Sequence, residues 1–192
     1  LIEKKTLFHE IGLCGIDEVG RGPIAGPVVA AAVVLPEDFP IFLLSDSKKL
    51  TEKQREKVLP LILTKAVSYG LGWVWNHEID QMNIHHASLL AMKIAYQEQG
   101  YSPLRTLVDG KFCPDIPGKA EAIVKGDSKV ASIAAASILA KVARDRWMER
   151  MSWLDTRYGY EGHKGYPTKK HKAQVHVHGP SFLHRLSFRM DL

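Results

Sequence analysis

The longest unbroken apolar run is Pro27–Leu35, PVVAAAVVL, nine residues closed off by Pro36. That is under half of the roughly 20 residues a membrane-spanning helix requires. A short, valine-rich run fenced by prolines reads instead as a buried β-strand. Four more segments fit strands: Gly12–Asp17, Val67–Trp75, Leu104–Asp109 and Ala120–Val124. No helix separates the first two, and strand–helix alternation follows. The pattern predicts an α/β chain whose mixed five-stranded sheet begins as an antiparallel meander, continues with parallel strands and is flanked by helices.

The helices carry local signals. Thr51-Glu-Lys-Gln54 is a capping box opening a helix to about Lys65. Glu78–Gln99 is helical in two pieces meeting near Asn83, with Gly100 at the C′ position. The longest helix runs from Ser128 to about Trp153. Its Ala134, Ile138 and Val142 recur every four residues, and its many alanines allow close approach to a sheet. A last short helix spans Thr168–His178, before Gly179-Pro180.

At 192 residues, with 45% hydrophobic and 24% charged, the chain suits one globular domain; disorder, collagen and coiled coil are excluded for it as a whole. No signal peptide stands at the start. The two cysteines, Cys14 and Cys113, read as reduced cytosolic thiols, so a cytoplasmic location is expected. Charge is uneven. Residues 1–156 hold 19 basic and 19 acidic side chains, while 157–192 hold 7 and 2, which accounts for the net +5. Five of the nine histidines lie in that last segment. The expected organisation is a catalytic body, 1–156, with a basic helical segment, 157–192, packed on it as one compact unit. A basic segment on a neutral body points to a polyanion, nucleic acid above all, or to a solvated face.

Four carboxylates stand out by position. Asp17 and Glu18 end the first strand, Asp109 ends the fourth, and Asp127 follows the fifth at the start of the long helix. If the first and fourth strands are parallel neighbours, these acids converge at one sheet edge. Clustered carboxylates repel one another unless a cation binds between them. Hard oxygen donors at an open site suit Mg²⁺ or Mn²⁺, and two such ions support phosphodiester hydrolysis. Each acid also has a structural alternative. Asp127 before Ser128 is a good N-cap, Asp109-Gly110 is a common turn, and adjacent Asp17 and Glu18 point to opposite faces unless the strand bends at its end.

Gly20-Arg21-Gly22 follows a strand, but Gly20, Gly22 and Gly26 do not have dinucleotide-binding spacing; a tight turn whose bare backbone approaches a substrate fits better. Ser45-Asp46-Ser47-Lys48 matches S-x-x-K without its companion motifs. Lys48 and Lys49 are placed to reach a phosphate or to be a solvated pair. His163, His171, His176 and His178 have no metal-site spacing and read as exposed or facing nucleic acid, and His85-His86 as structural. Tyr160 and Tyr166, among glycines and basic residues, suit stacking on sugars or bases, or core packing. Trp73 and Trp75 read as packing residues.

Together, several segments resemble ribonuclease HII, the type 2 ribonuclease H family, of the bacterial kind. They are Gly15–Val29 (GIDEVGRGPIAGPVV), Asp46–Thr51 (DSKKLT), His77–Met92 (HEIDQMNIHHASLLAM), Leu107–Gly110 (LVDG), Val124–Arg146 (VKGDSKVASIAAASILAKVARDR), His163–His171 (HKGYPTKKH) and His178–Phe188 (HGPSFLHRLSF). They span nearly the whole chain in the family's order.

The resemblance implies a ribonuclease H-like fold with a C-terminal helical segment. It implies a two-ion site for Mg²⁺ or Mn²⁺ made by Asp17, Glu18, Asp109 and Asp127. Gly20, Arg21 and Gly22 would touch the ribose 2′-hydroxyl largely through backbone, and Tyr166 would stack on the neighbouring sugar at an RNA-to-DNA junction. The implied activity is endonucleolytic cleavage of RNA in RNA–DNA hybrids and 5′ of single ribonucleotides in duplex DNA, leaving 3′-hydroxyl and 5′-phosphate ends. The implied partners are those nucleic acids, with the protein a monomer. Some members contact a sliding clamp, though no clear clamp-binding peptide is present here, and many continue a little past the position of Leu192. The alternatives are a type 3 ribonuclease H, set apart by an extra N-terminal domain not seen here, and a catalytically silent hybrid-binding protein.

Overall fold

The computed structural model describes residues 6–44 and 50–189. Strands β1 (Leu13–Val19) and β2 (Val28–Val34) form an antiparallel pair, and β3 (Ser68–Val74) extends it antiparallel beyond β2. Strands β4 (Arg105–Asp109) and β5 (Ala120–Ile123) continue the sheet in parallel on the other side of β1, giving the order β3-β2-β1-β4-β5. The mixed five-stranded sheet expected from the sequence is therefore present.

Helices α1 (Glu52–Lys65) and α3 (Ala131–Leu154) cover one face, and α2 (Asn76–Glu98) covers the other. The proline-fenced run sits in the middle. Ala31 and Val33 of β2 meet Ile62 of α1 and Ile138 of α3, whereas Ala30, Ala32 and Val34 meet Ile79 and Ala91 of α2. Alternate residues thus serve two cores, which is why β2 is apolar at every position. Each fully buried valine contributes roughly 1.5–3 kcal/mol.

Small residues bring the layers close. A Cβ on Gly72 of β3 would lie 1.9 Å from the Ala91 carbonyl oxygen of α2, and one on Gly15 of β1 would lie 2.2 Å from the Ile133 amide nitrogen of α3.

The local signals are realised. Thr51 and Gln54 form the capping box, with Gln54 N–H donating to Thr51 Oγ1 at 3.3 Å and Thr51 N–H to Gln54 Oε1 at 2.8 Å. Helix α2 kinks at Asn83, which takes φ 68°. Its Oδ1 accepts the His85 and His86 N–H groups, recapping the second piece. The cysteines are free thiols. Among the described residues no helix is long and apolar enough to cross a membrane.

The long helix departs from expectation at its start. Asp127 is not its N-cap. Gly126–Ser128 forms a separate 3-10 turn, and α3 begins three residues later behind Val130. The cause is tertiary: Ala131 N–H donates to Phe8 O and Phe8 N–H to Lys129 O, which holds Val130 extended.

Beyond α3, the short helix α4 (Tyr160–His163) and helix α5 (Lys169–His178, capped by Thr168) close a further apolar cluster. In it Ala25 meets Met148, Tyr158, Tyr160, Val175 and Leu183.

Candidate active site

Strand pairing places the acids. Ile16 of β1 pairs with Val108 of β4 in parallel, so the next residues along, Asp17 and Asp109, leave the sheet side by side. Asp17, Glu18 and Asp109 line one cleft of about 370 Å³, together with Ser137 and Lys141 of α3 and Tyr166. Glu18 and Asp109 also line a smaller recess beside it, shared with Arg21, His85, Lys111 and Phe112. Glu18 thus joins Asp17 at the cleft although the two are adjacent in sequence.

Asp109 anchors the next turn as well. Its Oδ1 accepts the Gly126 N–H at 2.6 Å. This bond spans 17 positions and sets the 3-10 turn carrying Asp127, which is fully buried. Asp127 is not among the groups lining the cleft.

The electrostatics are those of crowded, dehydrated carboxylates. Burial first, then the neighbouring charges of Glu18 and Asp109, hold the Asp17 carboxyl well above the usual range, against the lowering effect of a Ser137 hydrogen bond. Burial also raises Glu18, partly offset by Arg21, whose guanidinium lies 3.3 Å from Glu18 Oε1. Such a cluster of hard oxygen donors, with its charge only partly compensated, fits a divalent cation. Among the described residues no three acidic, histidine or cysteine side chains stand at coordinating distance of a common point.

Gly20, Arg21 and Gly22 form the turn leaving β1. Gly20 is buried with φ 92°, while Arg21 and Gly22 are exposed. A Cβ on Gly22 would meet Tyr166 Cε1 at 3.6 Å, so turn and ring face each other closely. Tyr166 is 39% exposed, whereas Tyr160 is buried and packs. Lys141 Nζ stands 5.9 Å from the centre of the Tyr166 ring. Lys48 and Lys49 lie outside the described residues.

Ser137 and Lys141, which no motif in the sequence singles out, also line the cleft. Their four-residue spacing on α3 was the available signal, overshadowed by the apolar stripe of Ala134, Ile138 and Val142. His85, expected to be structural, packs its ring 4.8 Å from that of Phe112 and lines the smaller recess. Trp73 and Trp75 do pack, stacked at 5.8 Å.

Two further expectations fail. Arg185, counted as part of a basic tail for polyanions, is fully buried; among the described residues Arg157, Lys169, Lys170 and Arg189 are the exposed cations of that segment. His163 and His171 are not exposed. They stack at 4.1 Å inside the C-terminal cluster, and His171 Nε2 lies 3.1 Å from His184 Nε2.

Their partners fix the tautomers. His171 Nδ1–H donates to the Tyr166 carbonyl, leaving Nε2 to accept from His184 Nε2–H. His184 Nδ1 in turn accepts the Ser181 N–H. Both rings are therefore neutral, and burial pushes both down to about 4 from an ordinary 6.5.

An unfolded chain takes up these protons near pH 6.5 and the folded one only near 4. Their stabilising contribution is therefore full above pH 6.5 and is lost as pH falls towards 4. Replacing His171→Gln should make stability, read from urea midpoints across this window, less steep in pH by about one proton. An unchanged slope would mean that His171 is not held neutral.

The family model for ribonuclease HII matches residues 14–190. A ribonuclease HII from Treponema denticola is 49% identical over 192 aligned residues, covering 92% of this chain and 97% of that protein. The solved ribonuclease H2 from Pyrococcus horikoshii OT3 superposes with a TM-score of 0.78 at 26% identity, covering 93% of this chain and 94% of that one. Bst-RNase HIII, solved in complex with Mn²⁺, shares the fold with a TM-score of 0.78 at 19% identity, covering 98% of this chain but 69% of its own.

Proposed function

The chain belongs to the ribonuclease HII family and is a ribonuclease H endonuclease, and from that premise we propose that it cuts RNA–DNA hybrids, and duplex DNA 5′ of a single embedded ribonucleotide, by two-ion hydrolysis. The observation that carries the proposal is the meeting of Asp17, Glu18 and Asp109 at the ends of β1 and β4, in a cleft shared with Tyr166.

Asp17, Glu18, Asp109 and Asp127 are the residues that would hold Mg²⁺ or Mn²⁺. Bound there, such ions activate a water and neutralise charge on the leaving oxygen. The remaining work falls to the protein. The Gly20–Gly22 turn lies against Tyr166 and would accept the ribose at the exposed residues Arg21 and Gly22. The Tyr166 ring would stack on the adjoining sugar. Lys141, bonded to Asp145 at 2.8 Å, would hold a cation near the scissile phosphate. Raised carboxylates at Asp17 and Glu18 make ion binding compete with protons, so cleavage should gain with rising pH.

The test is Mg²⁺-dependent nicking of a duplex bearing one ribonucleotide, with analysis of both ends. Cleavage 5′ of the ribonucleotide, leaving 3′-hydroxyl and 5′-phosphate, is expected. Hybrid binding without any cleavage by the folded protein would identify a silent binder instead.

The ring of Tyr166 gives a finer prediction. Tyr166→Phe keeps the stacking surface and should retain much of the activity on a lone ribonucleotide. Tyr166→Ala removes a contact worth on the order of 1–3 kcal/mol, roughly a five- to hundred-fold loss. That loss should be greater at a lone ribonucleotide than on a long hybrid, read as the ratio of kcat/KM on the two substrates. Equal losses on both would make Tyr166 a residue of the fold or of general binding.

A further inference from the structure

Arg185 is fully buried, yet among the described residues no carboxylate bonds it. Its guanidinium is spent on backbone. Nη2 donates to Gly20 O at 2.6 Å, Nη1 to Arg21 O at 3.2 Å and Pro23 O at 2.8 Å, and Nε to Gly26 O at 2.9 Å. Its own N–H donates to Ile24 O at 2.8 Å. Arg144, equally buried, completes the grip: Nε reaches Pro27 O at 2.9 Å, Nη2 reaches Ala25 O at 3.1 Å and Nη1 reaches Lys164 O at 2.9 Å.

Gly20 is a glycine for the same reason, since a Cβ there would lie 2.4 Å from Arg144 Nε. The segment bearing Arg185 is itself pinned. Asn76 Nδ2 donates to Phe182 O and His184 O, and Asp80 accepts the N–H groups of Leu186 and Ser187.

A trans peptide sets the consequence. The C=O of one residue and the N–H of the next point in opposite directions, and the chain contains no cis peptide among its described residues. With the Gly20 and Arg21 carbonyls turned in to Arg185, the N–H groups of Arg21 and Gly22 are turned out. The next such peptide shows the same geometry occupied: Pro23 O faces Arg185 while Ile24 N–H faces Gly165 O at 2.9 Å. Among the described residues the Arg21 and Gly22 N–H groups have no acceptor.

We propose that Arg185 is a positioning residue for substrate selection: by holding the carbonyls of Gly20, Arg21 and Pro23 inward, it presents the Arg21 and Gly22 N–H groups as donors for a ribose hydroxyl. Only a planar fork with five N–H groups serves so many carbonyls at once. The inference rests on the turn being the ribose contact of the proposed function.

The experiment measures binding of the full chain in Ca²⁺ to two duplexes of one sequence, all-DNA and with a single ribonucleotide. Its readout is the ratio of the two Kd values. Wild type should prefer the ribonucleotide. Arg185→Gln should lower that preference roughly three- to ten-fold, the size of a lost hydrogen bond, with all-DNA affinity nearly unchanged. Val175→Ala, which thins the C-terminal core without touching the turn, should lose stability but keep the ratio.

An Arg185→Gln variant that keeps the ratio, or that loses affinity equally for both duplexes, overturns the proposal. If Arg185→Gln does not fold, Arg185→Lys decides by the same ratio, with a smaller drop expected and full retention fatal. A wild type without preference would instead bring down the reading of the turn as the ribose contact, and this inference with it.

Discussion

Asp17→Asn should reduce cleavage by a factor of about 10³ or more while making the ion-free protein more stable at alkaline pH. The first effect follows from losing a ligand of the proposed two-ion site. Such ions supply several kcal/mol of transition-state stabilisation, and each 1.36 kcal/mol is tenfold in rate.

The second effect follows from where the carboxylate sits. Burial, Glu18 and Asp109 hold the Asp17 carboxyl well above its ordinary range, so the fold favours its protonated form. A raised carboxyl stabilises the fold at low pH, and that contribution is lost as pH rises through its folded value. The amide carries no charge to lose. In EDTA the variant should therefore have the higher urea midpoint at pH 8, with the gap narrowing towards pH 4. Hybrid binding in Ca²⁺ should survive, since one negative charge facing phosphate is gone.

Near wild-type cleavage would remove Asp17 from the site. A variant less stable than wild type at pH 8 in EDTA would show that the carboxylate is not a strained, dehydrated anion.

Gly15→Ala should cost about 3 kcal/mol or more and lower Tm by roughly 10 °C. The added Cβ would lie 2.2 Å from both the Ile133 nitrogen and the Ser132 carbonyl carbon. Those are backbone atoms of α3, which cannot rotate aside, so the helix must part from β1. Asp17 and Ser137 sit on the two elements driven apart, so activity should fall with stability. Gly162→Ala is the control. It lies in α4 with open space where a Cβ would go and no left-handed φ, and it should be neutral or stabilising by about 0.5–1 kcal/mol. A Gly15→Ala protein as stable as wild type would mean that α3 does not approach β1 so closely.

Much of this architecture is legible in the chain because its causes are local. Pro27 and Pro36 bracket β2, Thr51 and Gln54 cap α1, Asn83 breaks α2, and Gly100, at φ 66°, follows it. Each depends on residues within a few positions. The acids are legible for a related reason. A residue at the C-terminal end of a parallel strand lies at the sheet edge whatever its neighbours are, so Asp17 and Asp109 needed only the pairing of β1 with β4 to meet. Residue counts do not reveal solvation. Arg185 and Arg144 read as ordinary cations, and His163 and His171 as surface histidines, because charge and spacing say nothing about which carbonyls will surround them.

The sequence by itself determined the strands, the helices, their alternation and the acids at the strand ends, since periodicity, caps and strand termini are short-range properties. The tertiary structure alone decided that Asp127 sits in a turn tied to Asp109, that Ser137 and Lys141 face the cleft, and that Arg185 grips a turn 165 positions away at Gly20. The physical reason is burial: a charged or polar side chain enters the interior only where partners from distant segments satisfy it, and those partners exist only once the chain has folded.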